Sequence, residues 1–127
     1  MNRNEEVVTR FWGLFDEAKF DEAGLLMAPD ARVRWCNTKE LFTNRNNFIL
    51  ANKAYPGRWR ISIEKLVSKD DRVISVVKID AEDHSFNLYA ASFFSLKNGE
   101  IIEIEEYFGE NGEPPEWRTE AKLAERY

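Results

Sequence analysis

The feature that most constrains the fold of this chain is a change in the spacing of its apolar residues. In the first half they recur every three or four positions, as at Val8, Phe11, Trp12 and Phe15, which is typical of one face of an amphipathic helix. After Pro56-Gly57 they recur at every second position, which is typical of strands. Helices followed by consecutive strands predict an α+β domain rather than alternating βαβ units.

The helical half contains three predicted helices. The first covers about Asn4 to Lys19, with Asn4 as its N-cap, and a shorter one covers about 21–27 and ends before Pro29-Asp30. The third covers about Arg45 to Ala54, with Thr43 or Asn44 as its cap. One strand, about 31–36, lies between the second and third helices because its apolar and charged residues alternate.

The second half contains four predicted strands, at about 59–64, 72–81, 86–96 and 100–108. Asp70-Asp71 and Asn98-Gly99 are turn sequences between them, and Asn-Gly is a strong signal for a two-residue hairpin. A last short helix is predicted from Glu116. We therefore expect a curved antiparallel sheet that wraps around about three helices and forms a cone with an internal pocket.

The 127 residues suit one domain, with a core at about 5–108 and a C-terminal extension at 109–127. A chain of this length buries roughly two-thirds of its unfolded surface, so it needs neither disulfides nor metal for a core. The single cysteine has no internal disulfide partner, and no Cys/His cluster has metal-ligand spacing. We expect no cofactor.

Charge and hydropathy patterns also exclude some classes of partner. The net charge of −5 and the pI near 5.0 disfavour nucleic acid and anionic membranes, which need clustered Lys and Arg. The N-terminal residues lack the apolar run of a signal peptide, and no apolar stretch is long enough to span a membrane. These features predict a cytoplasmic protein.

Three segments carry a resemblance to a known group of proteins: Asp30-Ala31-Arg32-Val33-Arg34-Trp35, Ala54-Tyr55-Pro56-Gly57-Arg58-Trp59 and Asn98-Gly99-Glu100-Ile101-Ile102. With the order of elements, they resemble the nuclear transport factor 2-like superfamily, which includes SnoaL-like polyketide cyclases and ketosteroid isomerases. The C-terminal segment from Glu106 to Arg118 resembles the corresponding segment of a SnoaL-like subgroup. The superfamily holds isomerases, cyclases, dehydratases, epoxide hydrolases and non-catalytic modules, so the resemblance implies a fold and no single reaction.

Glu106 is the candidate catalytic residue. Alternation places it on one face of the last strand with Ile102, Ile104 and Phe108, so it is one carboxylate among apolar side chains. Burial there would raise its pKa, as a general base or acid requires. By resemblance it matches the acidic residue that SnoaL-like cyclases carry late in this strand, although they usually have Asp. The alternative is a rim carboxylate that is solvated or paired with an arginine.

The candidate ligand-binding residues are mainly aromatic. As a set they suit a flat, apolar or aromatic small molecule, and the alternative is an ordinary aromatic core. Asn52 lies on the predicted inner stripe of the third helix and could orient a ligand or bond to the backbone. The full set is Trp12, Phe15, Trp35, Phe48, Asn52, Tyr55, Trp59 and Phe94.

The opposite face of the sheet is expected to carry Tyr89, Phe93, Ile101 and Tyr107. Exposed apolar area of this extent usually marks an interface, which predicts a homodimer, as is common in the superfamily. The alternative is that the segment around Trp117 covers this face within one chain. Two functions stay open: a cofactor-independent lyase, isomerase or hydrolase that uses Glu106, and a non-catalytic ligand-binding or protein-interaction module.

Overall fold

The computed structural model describes all residues from 1 to 127 and contains four helices and six strands. None of the helices has the length and apolar character needed to cross a membrane. The elements in chain order are α1 (Arg3–Asp16), α2 (Phe20–Gly24), β1 (Met27–Trp35), β2 (Glu40–Phe42), α3 (Arg45–Ala54), β3 (Trp59–Lys69), β4 (Arg72–Ala81), β5 (Asn87–Lys97), β6 (Glu100–Glu110) and α4 (Glu116–Ala121).

The first helix begins earlier than its apolar stripe predicts. Asn2, not Asn4, is the N-cap: its side chain accepts a hydrogen bond from the Glu5 backbone N–H at 2.8 Å, and the Glu5 side chain accepts one from the Asn2 backbone. This reciprocal capping box satisfies two N–H groups that would otherwise lack partners. The cap at Asn44 and the helix from Arg45 to Ala54 are confirmed.

The segment around Pro29 differs more from the prediction. The second helix ends at Gly24, and residues 27–30 belong to β1, so Pro29-Asp30 lies inside a strand rather than after a helix. The register between β1 and β6 is irregular between Met27 and Arg32. Pro29 lies in this irregular part, where a residue without a backbone N–H interrupts no regular ladder of hydrogen bonds. β2, a three-residue strand paired with the end of β1, is too short for alternation to indicate it.

The sheet has the strand order β2-β1-β6-β5-β4-β3. Strands β3 to β6 form antiparallel hairpins, as expected, and Asn98 and Gly99 both have positive φ at the last turn. The pairing of β1 with β6 is parallel, so the sheet is mixed rather than wholly antiparallel. In the chain, β1 and β6 are separated by β2, α3 and strands β3 to β5, so no local turn signal indicates that they pair.

One β-bulge changes which side chains of β6 face inward. Ser95 pairs with Glu103 and Leu96 pairs with Ile101, so Ile102 is an extra residue that no β5 residue opposes. Ile101 is therefore fully buried and Ile102 is exposed, the reverse of the strict alternation predicted. Beyond the bulge, Ile104 and Glu106 face inward as predicted.

The concave face of the sheet closes around α1. This helix packs on β3 and β4, while α3 packs on β1 and β2. Helix α2 lies between α1 and α3 and packs on both. Val8, Phe11, Trp12 and Phe15, the predicted stripe of α1, are all buried in the resulting core. The α+β cone is thus confirmed, with α1, α2 and α3 inside the curve of the sheet.

The C-terminal end of α1 is tied to the first residues of β3 by one carboxylate. Asp16 accepts two hydrogen bonds from the Arg60 guanidinium, both at 2.9 Å, and one from the Ile61 backbone N–H at 2.7 Å. The hydrogen bond from Arg60 is the main cause that lowers the pKa of Asp16 below its usual value. The charged form of Asp16 is therefore stabilised by folding.

We expect Asp16→Ala to lower the free energy of unfolding at pH 7 by about 1.5–3 kcal/mol, because hydrogen bonds to charged groups contribute this much. Since folding depresses the pKa of Asp16, its contribution is present above the unfolded pKa and is lost as pH falls through the folded one. Urea unfolding at pH 7 and pH 3 measures both effects. Asp21→Ala removes an exposed partner of Lys53 and should change stability by less than about 0.5 kcal/mol. Equal effects of the two variants would contradict the prediction.

Candidate functional site

Three buried polar side chains lie side by side across the inner face of the sheet. Ser75, Ser92 and Glu106 are the buried polar or charged residues of the chain, exposed by 0, 0 and 3%. Ser75 on β4 pairs with Ser92 on β5, and Ser92 pairs with Glu106 on β6. Trp35 on β1 continues the row, because it pairs with Glu106 across the parallel ladder. We refer to these four residues as the polar row.

Each carboxyl oxygen of Glu106 accepts a hydrogen bond within the polar row. The Trp35 indole N–H donates to Oε1 at 3.1 Å, and the Ser92 hydroxyl donates to Oε2 at 2.7 Å. Burial raises the pKa of Glu106 above its usual value, and the hydrogen bonds from Ser92 and Trp35 only partly oppose this rise. No cation lies within ion-pair distance of Glu106, which sets it apart from a rim carboxylate paired with an arginine.

Five of the predicted ligand-binding aromatics meet beside this row. Neighbouring ring centroids in the group are 5.8–6.1 Å apart, mostly in edge-to-face pairs, which is a favourable geometry for aromatic contacts. The Trp12 indole N–H donates to the Ser75 hydroxyl at 3.0 Å, so helix α1 is hydrogen-bonded directly to the polar row. The five residues are Trp12, Phe15, Trp35, Phe48 and Phe94.

The other three predicted ligand-binding residues lie apart from this group. Tyr55 and Trp59 pack edge to face at 5.8 Å, and Phe86 adds a third ring on the other side of Trp59. Tyr55 is more than half exposed. The Asn52 side-chain amide donates to the Phe48 backbone carbonyl within its own helix at 2.9 Å. Of the two roles predicted for Asn52, this is the hydrogen bond to the backbone.

The apolar inner face becomes more exposed beyond Glu106. Ile61, Ile79 and Leu88 form one row across β3, β4 and β5, and Phe108 follows Glu106 on the same face of β6. These four side chains are only partly buried, whereas Val73, Phe94 and Ile104, which form a row nearer the Asn98-Gly99 turn, are fully buried. We call Ile61, Ile79, Leu88 and Phe108 the apolar mouth of the cone.

The space around Glu106 itself is filled by the protein's own side chains. Trp12, Phe48 and Phe94 are each less than 5% exposed, and every buried side-chain nitrogen or oxygen has a hydrogen-bond partner. Two open grooves, of about 600 and 280 Å³, lie on other surfaces, one at the β3–β4 turn and one along α1. No three His, Cys, Asp or Glu side chains lie close enough together to hold a metal ion.

Two features of the polar row were not predicted from the sequence. One is Ser75, which is in phase with Val73 and Val77 on the apolar face of its strand, and that phase is the signal that indicates its inward orientation. Trp35 was predicted only as an aromatic wall, but its N–H is a hydrogen-bond donor to Glu106. A parallel pairing of β1 with β6 is needed to see this, and local patterns do not indicate which strands pair.

No protein-family model matches this chain, and no curated protein matches its sequence. Solved structures do match its fold. A candidate ketosteroid isomerase from Kribbella flavida has a TM-score of 0.84 at 22% identity, covering 98% of this chain and 90% of that one. A nuclear transport factor 2-like protein of unknown function from Burkholderia xenovorans has a TM-score of 0.82 at 18% identity, covering 98% and 95%.

A third similar structure contains a small molecule. It is a protein with a ketosteroid isomerase-like fold from Catenulispora acidiphila, in complex with trimethylamine, with a TM-score of 0.66 at 18% identity, covering 80% of this chain and 84% of that one. Together these matches show that the chain has the nuclear transport factor 2-like cone fold predicted from its sequence. At these identities the likeness concerns the fold alone.

The raised pKa of Glu106 predicts how the free energy of unfolding should depend on pH. Below the unfolded pKa of about 4.3 the side chain is protonated in both states, and as pH rises toward the folded pKa its charge costs the folded state free energy. Glu106→Gln should therefore match the wild type near pH 4 and be equally or more stable at pH 8. The variant amide can accept from Trp35 and donate to Ser92. Urea unfolding at both pH values measures the difference.

Two further variants bound this prediction. Glu106→Leu leaves the Trp35 N–H and the Ser92 hydroxyl without an acceptor, so it should lose about 1–3 kcal/mol at both pH values. Glu103→Gln, on the outer face of the same strand, should show no comparable gain in stability between pH 4 and pH 8. A loss of more than about 1 kcal/mol for Glu106→Gln at pH 8 would show that folding favours the charged carboxylate.

Proposed function

We propose that this protein binds a small apolar or aromatic molecule at the apolar mouth and exchanges a proton with it through Glu106. The observation that carries the proposal is the isolated carboxylate of Glu106, 3% exposed and without a cation, at the inner end of a partly exposed apolar surface. Concave apolar surfaces with a few convergent polar groups are typical small-molecule sites. The trimethylamine complex of a protein with this fold supports the idea that such cones hold small molecules.

The contacts around Glu106 suggest how it would act. A carboxylate whose pKa is raised above its usual value is a stronger base, and it can accept a proton from a carbon acid or a water molecule and later return it. The proton would move to a carboxyl oxygen while its bonding electron pair stays on the substrate or on hydroxide. Trp35 and Ser92 would hold the carboxyl group in one orientation throughout. A ligand would reach it by parting the rings of Trp35 and Phe108, whose centroids are 6.1 Å apart.

A second function is favoured by a different observation. Both carboxyl oxygens of Glu106 already have donors, and the aromatic group fills the space next to them. In a non-catalytic binding module the polar row would only fix the structure of the cone, and the apolar mouth would bind a ligand or a protein partner. The two functions differ in whether Glu106 is needed after binding.

We expect a ligand from a panel of phenols, aromatic acids and terpenoids to change the tryptophan fluorescence of the wild type. Present at 100 times its dissociation constant, it should stabilise the fold by about 2.7 kcal/mol, as measured by thermal or urea unfolding. With that ligand, wild-type protein should catalyse exchange of an acidic C–H for deuterium in D₂O. Glu106→Gln should keep ligand affinity within about threefold and lose the exchange entirely.

The controls separate the two functions. Glu103→Gln should bind and exchange like the wild type, whereas Leu88→Lys, which puts a charge in the apolar mouth, should weaken binding at least tenfold. Ligand binding without proton exchange in the wild type would reject the catalytic role of Glu106 and favour the non-catalytic binding module. Binding that is unaffected by Leu88→Lys would reject the apolar mouth as the site.

We also propose that the outer face of the sheet forms a homodimer. The face carries six exposed apolar side chains, and the rings of Phe93 and Tyr107 pack edge to face in its centre, with their centroids 6.0 Å apart. Ile102 takes the place that the sequence assigned to Ile101, because of the bulge. The C-terminal segment around Trp117 does not cover this face within one chain, since helix α4 has no buried residue and Trp117 is 66% exposed. The six are Val67, Ile74, Tyr89, Phe93, Ile102 and Tyr107.

Light scattering at micromolar concentration should give twice the chain mass of 14.9 kDa. Phe93→Lys places a charge at the centre of the outer face and should reduce the mass to that of one chain, because an interface excludes unpaired charges. Leu50→Lys, at an exposed position on α3, is the matched control and should leave the mass unchanged. A wild-type mass near 14.9 kDa would reject the dimer.

A further inference from the structure

The ladder between β1 and β6 ends next to the aromatic rings that lie beside Glu106. Trp35 and Glu106 are its last residue pair, and the Cys36 N–H makes its last backbone hydrogen bond, to the Glu106 carbonyl at 3.0 Å. From Tyr107 to Glu110, β6 is paired with β5 alone. The other side of this part of β6 therefore has no neighbouring strand.

One side chain continues the ladder by a single hydrogen bond. Asn37 Oδ1 accepts from the Phe108 backbone N–H at 2.7 Å, where a regular parallel ladder would place a backbone carbonyl of β1. The turn that carries Asn37 is itself fixed, because the Thr38 hydroxyl donates to the Glu40 carboxylate at 2.7 Å and lies 3.4 Å from the Trp35 carbonyl. Asn37 thus holds the unpaired side of β6 from a turn that is tied to the ends of β1 and β2.

The two rings between which a ligand would enter are held very differently. The Trp35 ring packs on Phe42 and Phe48, with centroids 4.7 and 6.1 Å away. Its indole N–H also donates to Glu106. Phe108 is only half-buried, and Trp35 is its one ring neighbour. Opening a path to Glu106 therefore requires Phe108 to move rather than Trp35.

We propose that Asn37 is a positioning residue that holds Phe108 in place and thereby sets how often the path to Glu106 opens. This inference rests on the proposed function, in which a ligand reaches Glu106 by parting the rings of Trp35 and Phe108. Asn37 is exposed, so water can replace its oxygen at the Phe108 N–H, and the hydrogen bond can break while the rest of the fold stays intact. Loss of one hydrogen bond of ordinary strength should raise the open population about two- to tenfold.

Hydrogen exchange of the Trp35 indole N–H in D₂O measures this opening without any ligand, because the acceptor of that proton, Glu106, is buried. By NMR at fixed pH, Asn37→Ala should speed the exchange about two- to tenfold. Low concentrations of urea should leave both rates unchanged, because a local opening exposes little surface. An exchange rate that Asn37→Ala does not change would overturn the proposal, and so would one that rises with urea in step with global unfolding.

Two variants show whether the acceptor oxygen is what matters. Asn37→Asp keeps an oxygen at the same place in the side chain, so its exchange rate should stay within about twofold of the wild type. Asn46→Ala removes an exposed amide on α3 and is the matched control, which should leave the rate unchanged. Exchange as fast in Asn37→Asp as in Asn37→Ala would overturn the proposal.

A double variant shows whether Asn37 acts through the Phe108 ring. Phe108→Ala should itself speed exchange of the Trp35 proton, and Asn37→Ala added to it should change the rate less than about twofold. An equal effect of Asn37→Ala with and without the ring would overturn the proposal.

Ligand binding tests the consequence for the site. For a compound of the panel above that binds, Asn37→Ala should raise the association rate constant by the same two- to tenfold, about the factor expected from one hydrogen bond. An unchanged association rate constant would overturn the role of Asn37 in ligand entry. If no compound of the panel binds, the proposed function fails, and the indole exchange rates alone decide whether Asn37 holds Phe108.

Discussion

A carboxylate enclosed by the concave face of a sheet must find hydrogen-bond donors, and this requirement governs how the strands of the cone are aligned. Glu106 has two donors, and they come from the two strands that flank β6: Ser92 on β5 and Trp35 on β1. A slip of either ladder by one residue would turn the donor to the opposite face and leave a buried charge without partners. The polar row thus adds a hydrogen-bonding requirement for one register on both sides of β6 to the requirement that apolar side chains already impose.

The same row explains why the core accepts so many aromatic rings. Ser75, Ser92 and Ala90 are small and fully buried on the inner face of the sheet. Small side chains at the centre of a curved sheet leave depth for the rings of α1, and the Trp12 N–H finds its acceptor at Ser75. Large rings from the helix and short polar groups from the sheet are therefore two halves of one packing arrangement.

The sequence was sufficient for most of the fold and for part of the site. Periodicity identified α1, β4 and the inward phase of Glu106, because each is a regular element with a clean apolar face. It could not identify the parallel pairing of β1 with β6, which depends on contacts between residues about 70 positions apart. It misassigned Ile101 and Ile102, because a bulge is an interruption of the rule that the prediction used. It named Trp35 and left out Ser75, since the role of a polar atom depends on what lies opposite to it.

The bulge at Ile102 limits which mutations this strand can accept during evolution. The two-residue turn at Asn98-Gly99 sets the hairpin register, and Ile102 shifts that register three residues later. The number of residues between the turn and Glu106 therefore decides whether the carboxylate lies inside or outside the cone. A substitution in this segment alters one side chain, but the loss or gain of a single residue exchanges the two faces for the rest of the strand. The length of the segment between the Asn98-Gly99 turn and Glu106 is thus more strictly constrained than the identity of its residues.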